Sequence, residues 1–165
     1  FSLDSKGLKE VVPVLTIANG MGWSRDQKSM YFIDSPTGRV DIFDCDLQSG
    51  ELKNRRPLIT FDVTSGIPDG LTTDEDGGIW VAFFGGGEVR RFDPSGELTH
   101  VVTLPVKQVT SCCFGGKDMS ELFITTARYA MNSESLAREP LAGSLFKLST
   151  TFKGSKSHRY ERTGI

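Results

Sequence analysis

Two phrases, Ile17-Ala18-Asn19-Gly20 and Ile67-Pro68-Asp69-Gly70, each open one copy of an internal repeat, and that repeat limits the folds open to the chain. In the first copy, Met21-Gly22-Trp23-Ser24 leads through the polar turn Arg25-Asp26-Gln27-Lys28 to Met30-Tyr31-Phe32-Ile33-Asp34. Beyond Pro36-Thr37-Gly38 come Arg39-Val40-Asp41-Ile42-Phe43-Asp44 and a fourth run ending at Leu58-Ile59-Thr60-Phe61. The second copy repeats the plan with Gly70-Leu71-Thr72-Thr73, Gly78-Ile79-Trp80-Val81-Ala82-Phe83, Glu88-Val89-Arg90-Arg91-Phe92-Asp93 and the run from Leu98 to Leu104. Tyr31 matches Trp80, Val40 matches Val89 and Phe43 matches Phe92. A third copy opens at Thr110-Ser111-Cys112-Cys113-Phe114 and continues with Glu121-Leu122-Phe123-Ile124-Thr125-Thr126. It then detours through a longer loop, residues 129–142, and resumes at Gly143-Ser144-Leu145-Phe146-Lys147-Leu148.

Short apolar runs broken by Gly, Asp, Ser and Pro predict antiparallel strands rather than helices. Four strands in roughly 40–50 residues is the size of one β-propeller blade. A β-sandwich with chance turn spacing is the competing architecture, but aromatic, turn and Asp positions recur together, which favours the propeller. The expected fold is therefore all-β, a partial β-propeller over residues 1–152, with a closing strand and loose polar tail at 153–165. The opening stretch, Phe1-Ser2-Leu3-Asp4-Ser5-Lys6-Gly7-Leu8 followed by Val11-Val12, matches Phe92 to Leu98 followed by Val101-Val102. It reads as the last two strands of a preceding blade. Closed propellers need about four to eight blades, and an open ring would leave sheet edges unpaired. The chain is thus expected to be the C-terminal part of a longer protein, with N-terminal blades as its partner.

Nineteen basic against 21 acidic residues give no field that would draw nucleic acid or an anionic membrane. No run approaches the roughly 18 apolar residues of a membrane span. Cys45, Cys112 and Cys113 have no metal-ligand spacing and form no even disulfide set. Cys112 and Cys113, adjacent on a strand, face opposite sides. They read as small buried apolar residues, and free thiols suit a reducing cytosol, so a cytoplasmic location is expected.

Chemistry enters with Asn19 and Asp69. An amide oxygen and a carboxylate at matching points of successive repeats can converge on a shared axis, and both are hard donors. Such donors suit Ca²⁺, Mg²⁺ or Mn²⁺, and an open site with few ligands can also take Zn²⁺. Asn-Gly and Asp-Gly are also the commonest tight-hairpin dipeptides, so the residues alone leave a turn reading open. Against it, another turn follows each pair, at 25–29 and 74–78. The glycine after each donor is expected to let the backbone turn into a channel-lining strand. Ser111 is read as the third copy's equivalent, a candidate substrate contact or a plain strand-start residue. Arg128 is read as structural and Gly85-Gly86-Gly87 as a β-turn. Trp23 and Trp80 are read as packing between blades.

These same phrases carry a resemblance. Asn19-Gly20-Met21-Gly22-Trp23-Ser24 with Tyr31-Phe32-Ile33-Asp34-Ser35 resembles the regucalcin (senescence marker protein), gluconolactonase and luciferin-regenerating-enzyme family. So do Ile67-Pro68-Asp69-Gly70 with Gly78-Ile79-Trp80-Val81-Ala82, Thr110-Ser111-Cys112-Cys113-Phe114-Gly115-Gly116 and Thr125-Thr126-Ala127-Arg128, in matching order and spacing. The resemblance implies a six-bladed propeller with one divalent metal in its central channel, and hydrolysis of sugar lactones. It implies that Asn19 and Asp69 are two of three protein ligands, the third being a Glu outside this sequence. In such a lactonase the cation would activate water against the lactone carbonyl, and Asp69 would serve as ligand first and proton acceptor second. A non-enzymatic calcium-binding regulatory protein is the alternative that the resemblance also implies.

Overall fold

The computed structural model describes residues 2–4 and 7–156. Its strands are antiparallel throughout, and each sheet is built from strands consecutive in the chain. β1 (Ser2–Asp4) and β2 (Gly7–Lys9) form a hairpin, where the sequence placed the last two strands of a repeat. The first full copy gives β3 (Ala18–Trp23), β4 (Ser29–Asp34), β5 (Arg39–Cys45) and β6 (Leu52–Thr60), paired in that order. The second gives β7 (Ile67–Thr73), β8 (Ile79–Phe84), β9 (Glu88–Phe92) and β10 (Leu98–Thr103), again paired in order. The third gives β11 (Val109–Gly115), β12 (Glu121–Thr126) and β13 (Leu145–Ser149).

Successive residues of a strand face opposite sides of its sheet, and here each side meets a neighbour. Ile79, Val81 and Phe83 of β8 pack with Tyr31, Ile33 and Val40 of the first sheet. Trp80 and Ala82, on the other face of β8, pack with Cys112, Phe114, Leu122 and Ile124 of the third. A strand buried on both faces reads as an unbroken apolar run, as Ile79 to Phe83 does. Sheets stacked face to face in chain order bring their first strands together: β3 lies against β7, and β7 against β11.

Three local readings change. The detour at 129–142 contains a helix, α1 (Ser133–Arg138), started by the Asn132 side chain, which accepts a 2.8 Å bond from the Ser135 amide. Trp80 is buried, edge-on to Phe114 and Phe152, whereas Trp23 is 42% exposed. Its repeat counterpart is Thr73, and the aromatic counterpart of Trp80 is Tyr31. Of the thiols, all free, only Cys112 is buried, while Cys45 is half-buried and Cys113 exposed. The glycine run 85–87 does turn β8 into β9, with Gly86 N bonded to Phe83 O at 3.1 Å.

After β13 the chain crosses back to the second sheet. Glu75 N donates to Lys153 O at 2.7 Å, and Gly154 bridges Asp74. The described residues 153–156 of the expected closing strand and tail form this isolated bridge and no strand. The remainder of the expected tail lies outside the described residues.

Candidate metal centre

Asn19 and Asp69 stand at the same irregularity of their sheets. Ala18 pairs with Asp34 and Met21 with Phe32, so β3 carries one extra residue across Asn19-Gly20. Pro68 pairs with Phe83 and Leu71 with Val81, which places the same bulge across Asp69-Gly70. A bulge re-aims side chains away from the regular pleat. These dipeptides therefore act inside strands and close no hairpin.

The glycines are needed for a reason other than a turn. Neither has a positive φ. A Cβ on Gly20 would sit 2.6 Å from Leu71 N and 2.7 Å from Asp69 O. A Cβ on Gly70 would sit 2.7 Å from Ser111 Cα and closer still to the Ser111 side chain. Close approach of β3 to β7 and of β7 to β11, and not freedom of the backbone, requires glycine here.

The same register corrects the third position. Val109 pairs with Thr126 and Cys112 with Ile124, so Thr110 is the counterpart of Asn19 and Asp69, and Ser111 is the counterpart of the two glycines. Ser111 packs on Gly70. Thr110 stands beside β12, its hydroxyl 2.8 Å from that of Thr125. Arg128 is exposed, its aliphatic stem lying along Gly143.

Asn19 and Asp69 stand close together. Asn19 Nδ2 donates to Ser35 Oγ at 3.1 Å, and the Asn19 side chain lies near enough to Asp69 to favour its ionised form. Burial pushes the Asp69 carboxyl above its ordinary range, and Asn19 only partly offsets that. No Lys or Arg ion pair reaches Asp69 among the described residues. An under-compensated carboxylate with a side-chain amide on the neighbouring strand suits a hard cation. Among the described residues no group of three or more His, Cys, Asp or Glu side chains could hold a metal. An ion here would rest on this pair plus donors from elsewhere.

Ser35 and Asp34 are parts of the site that motif reading passed over. Asp34, 5% exposed, accepts from Ile17 N at 2.8 Å and from Thr16 N at 3.1 Å, pinning the chain as it runs into β3. Their signal lay in Asp34-Ser35-Pro36-Thr37-Gly38, which reads as a plain turn. A cavity of about 510 Å³, lined by Met21, Trp23, Arg25, Leu47, Thr73 and Lys156, lies at the far ends of β3 and β7, away from the pair.

Comparison with known proteins decides the family. The sequence model of the SMP-30/Gluconolactonase/LRE-like region matches residues 1–128. The chain belongs to this family. Regucalcin of Pongo abelii is 46% identical over 142 residues, covering 86% of this chain and 48% of that protein. Among solved structures, a luciferin-regenerating enzyme is 38% identical with a TM-score of 0.77, and a calcium-binding protein, regucalcin, of Agrobacterium tumefaciens is 30% identical with a TM-score of 0.82. Each alignment covers 86% of this chain and 48% of the other. A gluconolactonase of Xanthomonas campestris is 28% identical with a TM-score of 0.58, over 67% of this chain and 35% of that one. The chain thus spans about half the length of the family members it matches.

Proposed function

We propose that these residues form the C-terminal blades of a six-bladed propeller that hydrolyses sugar lactones with the help of one divalent cation. The observation that carries this reading is the Asn19–Asp69 pair. An amide and a carboxylate stand at matching bulges of adjacent strands, and the half-buried carboxylate has no ion pair among the described residues. Side-by-side inner strands joined by meandering sheets suit a radial arrangement, and the family description includes gluconolactonase.

Asn19 Oδ1 and the Asp69 carboxylate would hold the ion, with further donors from sequence outside this chain. A bound divalent cation supplies Lewis acidity towards a lactone carbonyl and lowers the pKa of water. Asp69 orients and charge-balances first. Its second oxygen can accept the proton that the attacking water gives up, as a weaker base than a free carboxylate.

A second reading, a calcium-binding protein without lactonase activity, has its own support. Both donors are oxygen, and a solved relative is described as calcium-binding. A pH-drop assay on glucono-1,5-lactone with Zn²⁺, Mn²⁺ and Ca²⁺, using protein extended to the relatives' full length, separates the two. The lactonase reading requires metal-dependent turnover that Asp69→Ala reduces at least a hundredfold, in the range set by losing a charged ligand that also moves a proton. Calcium binding with lactone decay at the background rate would replace it with the second reading.

A further inference from the structure

We infer that Ser35 is a positioning residue for Asn19, tying its amide to the turn Ser35–Thr37 and thereby setting how tightly the cation site binds. The inference rests on the metal reading of the Asn19–Asp69 pair.

A primary amide can ligate a cation only through its oxygen, and a half-turn about its last torsion exchanges oxygen for nitrogen. A carboxylate has no such ambiguity, because its two oxygens are equivalent. Asn19 therefore needs an orienting partner and Asp69 does not. The ladder register shows that asymmetry in the neighbours. Ala18 pairs with Asp34 and Pro68 with Phe83, so the counterpart of Ser35 beside Asp69 is Phe84, which offers no hydrogen bond. Beside Thr110 the counterpart is Ala127. A hydroxyl occurs at this position only next to the amide.

The hydroxyl is also held firmly. Ser35 is 6% exposed, and its own amide donates to Ile17 O at 3.1 Å. Thr37 Oγ1 donates to Asp34 O at 2.7 Å and Gly38 N to Ser35 O at 3.1 Å, which closes the 3-10 turn Ser35–Thr37. Asp34 ties the same turn to Thr16 and Ile17. None of these bonds involves Asn19, so the support stays in place whatever the amide does. With Ser35 Oγ taking an N–H of Asn19 at 3.1 Å, the amide is tied to this supported turn. Groups that orient metal ligands in this way are commonly worth about 10–100-fold in affinity.

The test uses protein extended to the relatives' full length, which supplies the remaining donors, with Tb³⁺ as the cation and sensitised luminescence as the affinity readout. The Asn19 side-chain NH₂ resonances, assigned by their loss in Asn19→Asp, are followed by hydrogen exchange. Ser35→Ala is expected to weaken Tb³⁺ binding about tenfold or more and to speed exchange of that NH₂. Ser35→Thr, which keeps the hydroxyl, is expected to stay within about threefold of the unaltered protein. Thr37→Ala loosens the same turn without touching the amide, and should lower the thermal midpoint while leaving affinity unchanged. Equal Tb³⁺ affinity in Ser35→Ala, or an equal loss in Thr37→Ala, overturns the inference. If the unaltered chain binds no Tb³⁺, the metal reading fails separately. Ser35 is then judged on NH₂ exchange alone, with faster exchange in Ser35→Ala upholding the orienting role and unchanged exchange refuting it.

Discussion

At Asn19 and Asp69 a neutral amide and a carboxylate share a half-buried layer, and the energetic strain falls on the carboxylate. Burial raises the Asp69 carboxyl more than Asn19 lowers it, so its folded-state pKa lies above the unfolded value. A carboxyl raised on folding contributes stability that is fully present below its unfolded pKa, near 3.8, and is lost as pH rises through the folded value. At neutral pH the ionised group therefore weighs against the metal-free fold. Asp69→Asn removes the charge at nearly constant shape. It is expected to raise the metal-free thermal midpoint at pH 7 by about 2–4 °C, the size of a relief on the order of 1 kcal/mol in a chain this long. The gain should vanish near pH 3, where the carboxyl is protonated in both states. In protein extended to the relatives' full length, adding Mn²⁺ should invert the order, because only the form with Asp69 gains stability by binding the ion. Scanning calorimetry at the two pH values, with and without Mn²⁺, checks all three statements.

Among the elements, the inner strands set how closely the sheets approach, and glycine is what allows it. Gly70→Ala would drive a Cβ into the Ser111 backbone and side chain, and Gly20→Ala would drive one into the backbone of residues 69–71. Backbone on the receiving side cannot rotate away, so each change is expected to cost about 3 kcal/mol, the upper end of overpacking. Gly50 is the comparison: its φ is 69° and nothing lies within 4 Å of an added Cβ, so Gly50→Ala should cost only about 1 kcal/mol of left-handed strain. Urea unfolding of the three variants measures the difference. This spacing also explains what the sequence made legible. Strand order and the matching positions of Asn19 and Asp69 follow from turn residues and matched repeats, whereas the bulges that carry them appear only in the ladder register. The third bulge was misread by one residue, because Thr110-Ser111 has no glycine to mark the register, and Ser111 fills the place that Gly20 and Gly70 leave open. Ser35 was not legible as a partner of Asn19, since a hydrogen bond across 16 residues leaves no local pattern. The helix at 133–138 is short enough that its Asn cap was its only signal.

For the molecule as a whole, the question is what ties the second sheet to the end of the described chain. Asp74, in the turn between β7 and β8, has a fully buried side chain that takes Arg91 Nε at 2.7 Å, Trp80 Nε1 at 2.8 Å and Gly78 N at 2.7 Å. Arg91 in turn lies 4.2 Å from the ring centre of Phe152, which packs edge-on to both Trp80 and His100. One ion pair thus joins a turn, two strands and the returning segment. Burial would raise the Asp74 carboxyl, but the bonds from Arg91, Trp80 and Gly78 together outweigh it and hold it below its ordinary value. A carboxyl lowered on folding stabilises above its unfolded pKa, near 3.8, and that contribution is lost as pH falls through the folded value. Arg91→Met keeps the bulk over Phe152 and removes the positive charge, leaving Asp74 buried with only neutral donors. The expected cost at pH 7 is about 3–5 kcal/mol, that of breaking a buried pair from one side. Without Arg91 the carboxyl takes up its proton at higher pH, so the acid-unfolding midpoint should move upward as well. Asp74→Asn in the Arg91→Met background should recover part of the loss by removing the stranded charge. Trp80 fluorescence followed through an acid titration reads both shifts, because its indole donates directly to Asp74 while Trp23 faces solvent. An unmoved acid midpoint in Arg91→Met would show that the guanidinium does not set the ionisation of Asp74, and that Phe152 and Gly154 hold the returning segment by packing and backbone bonds alone.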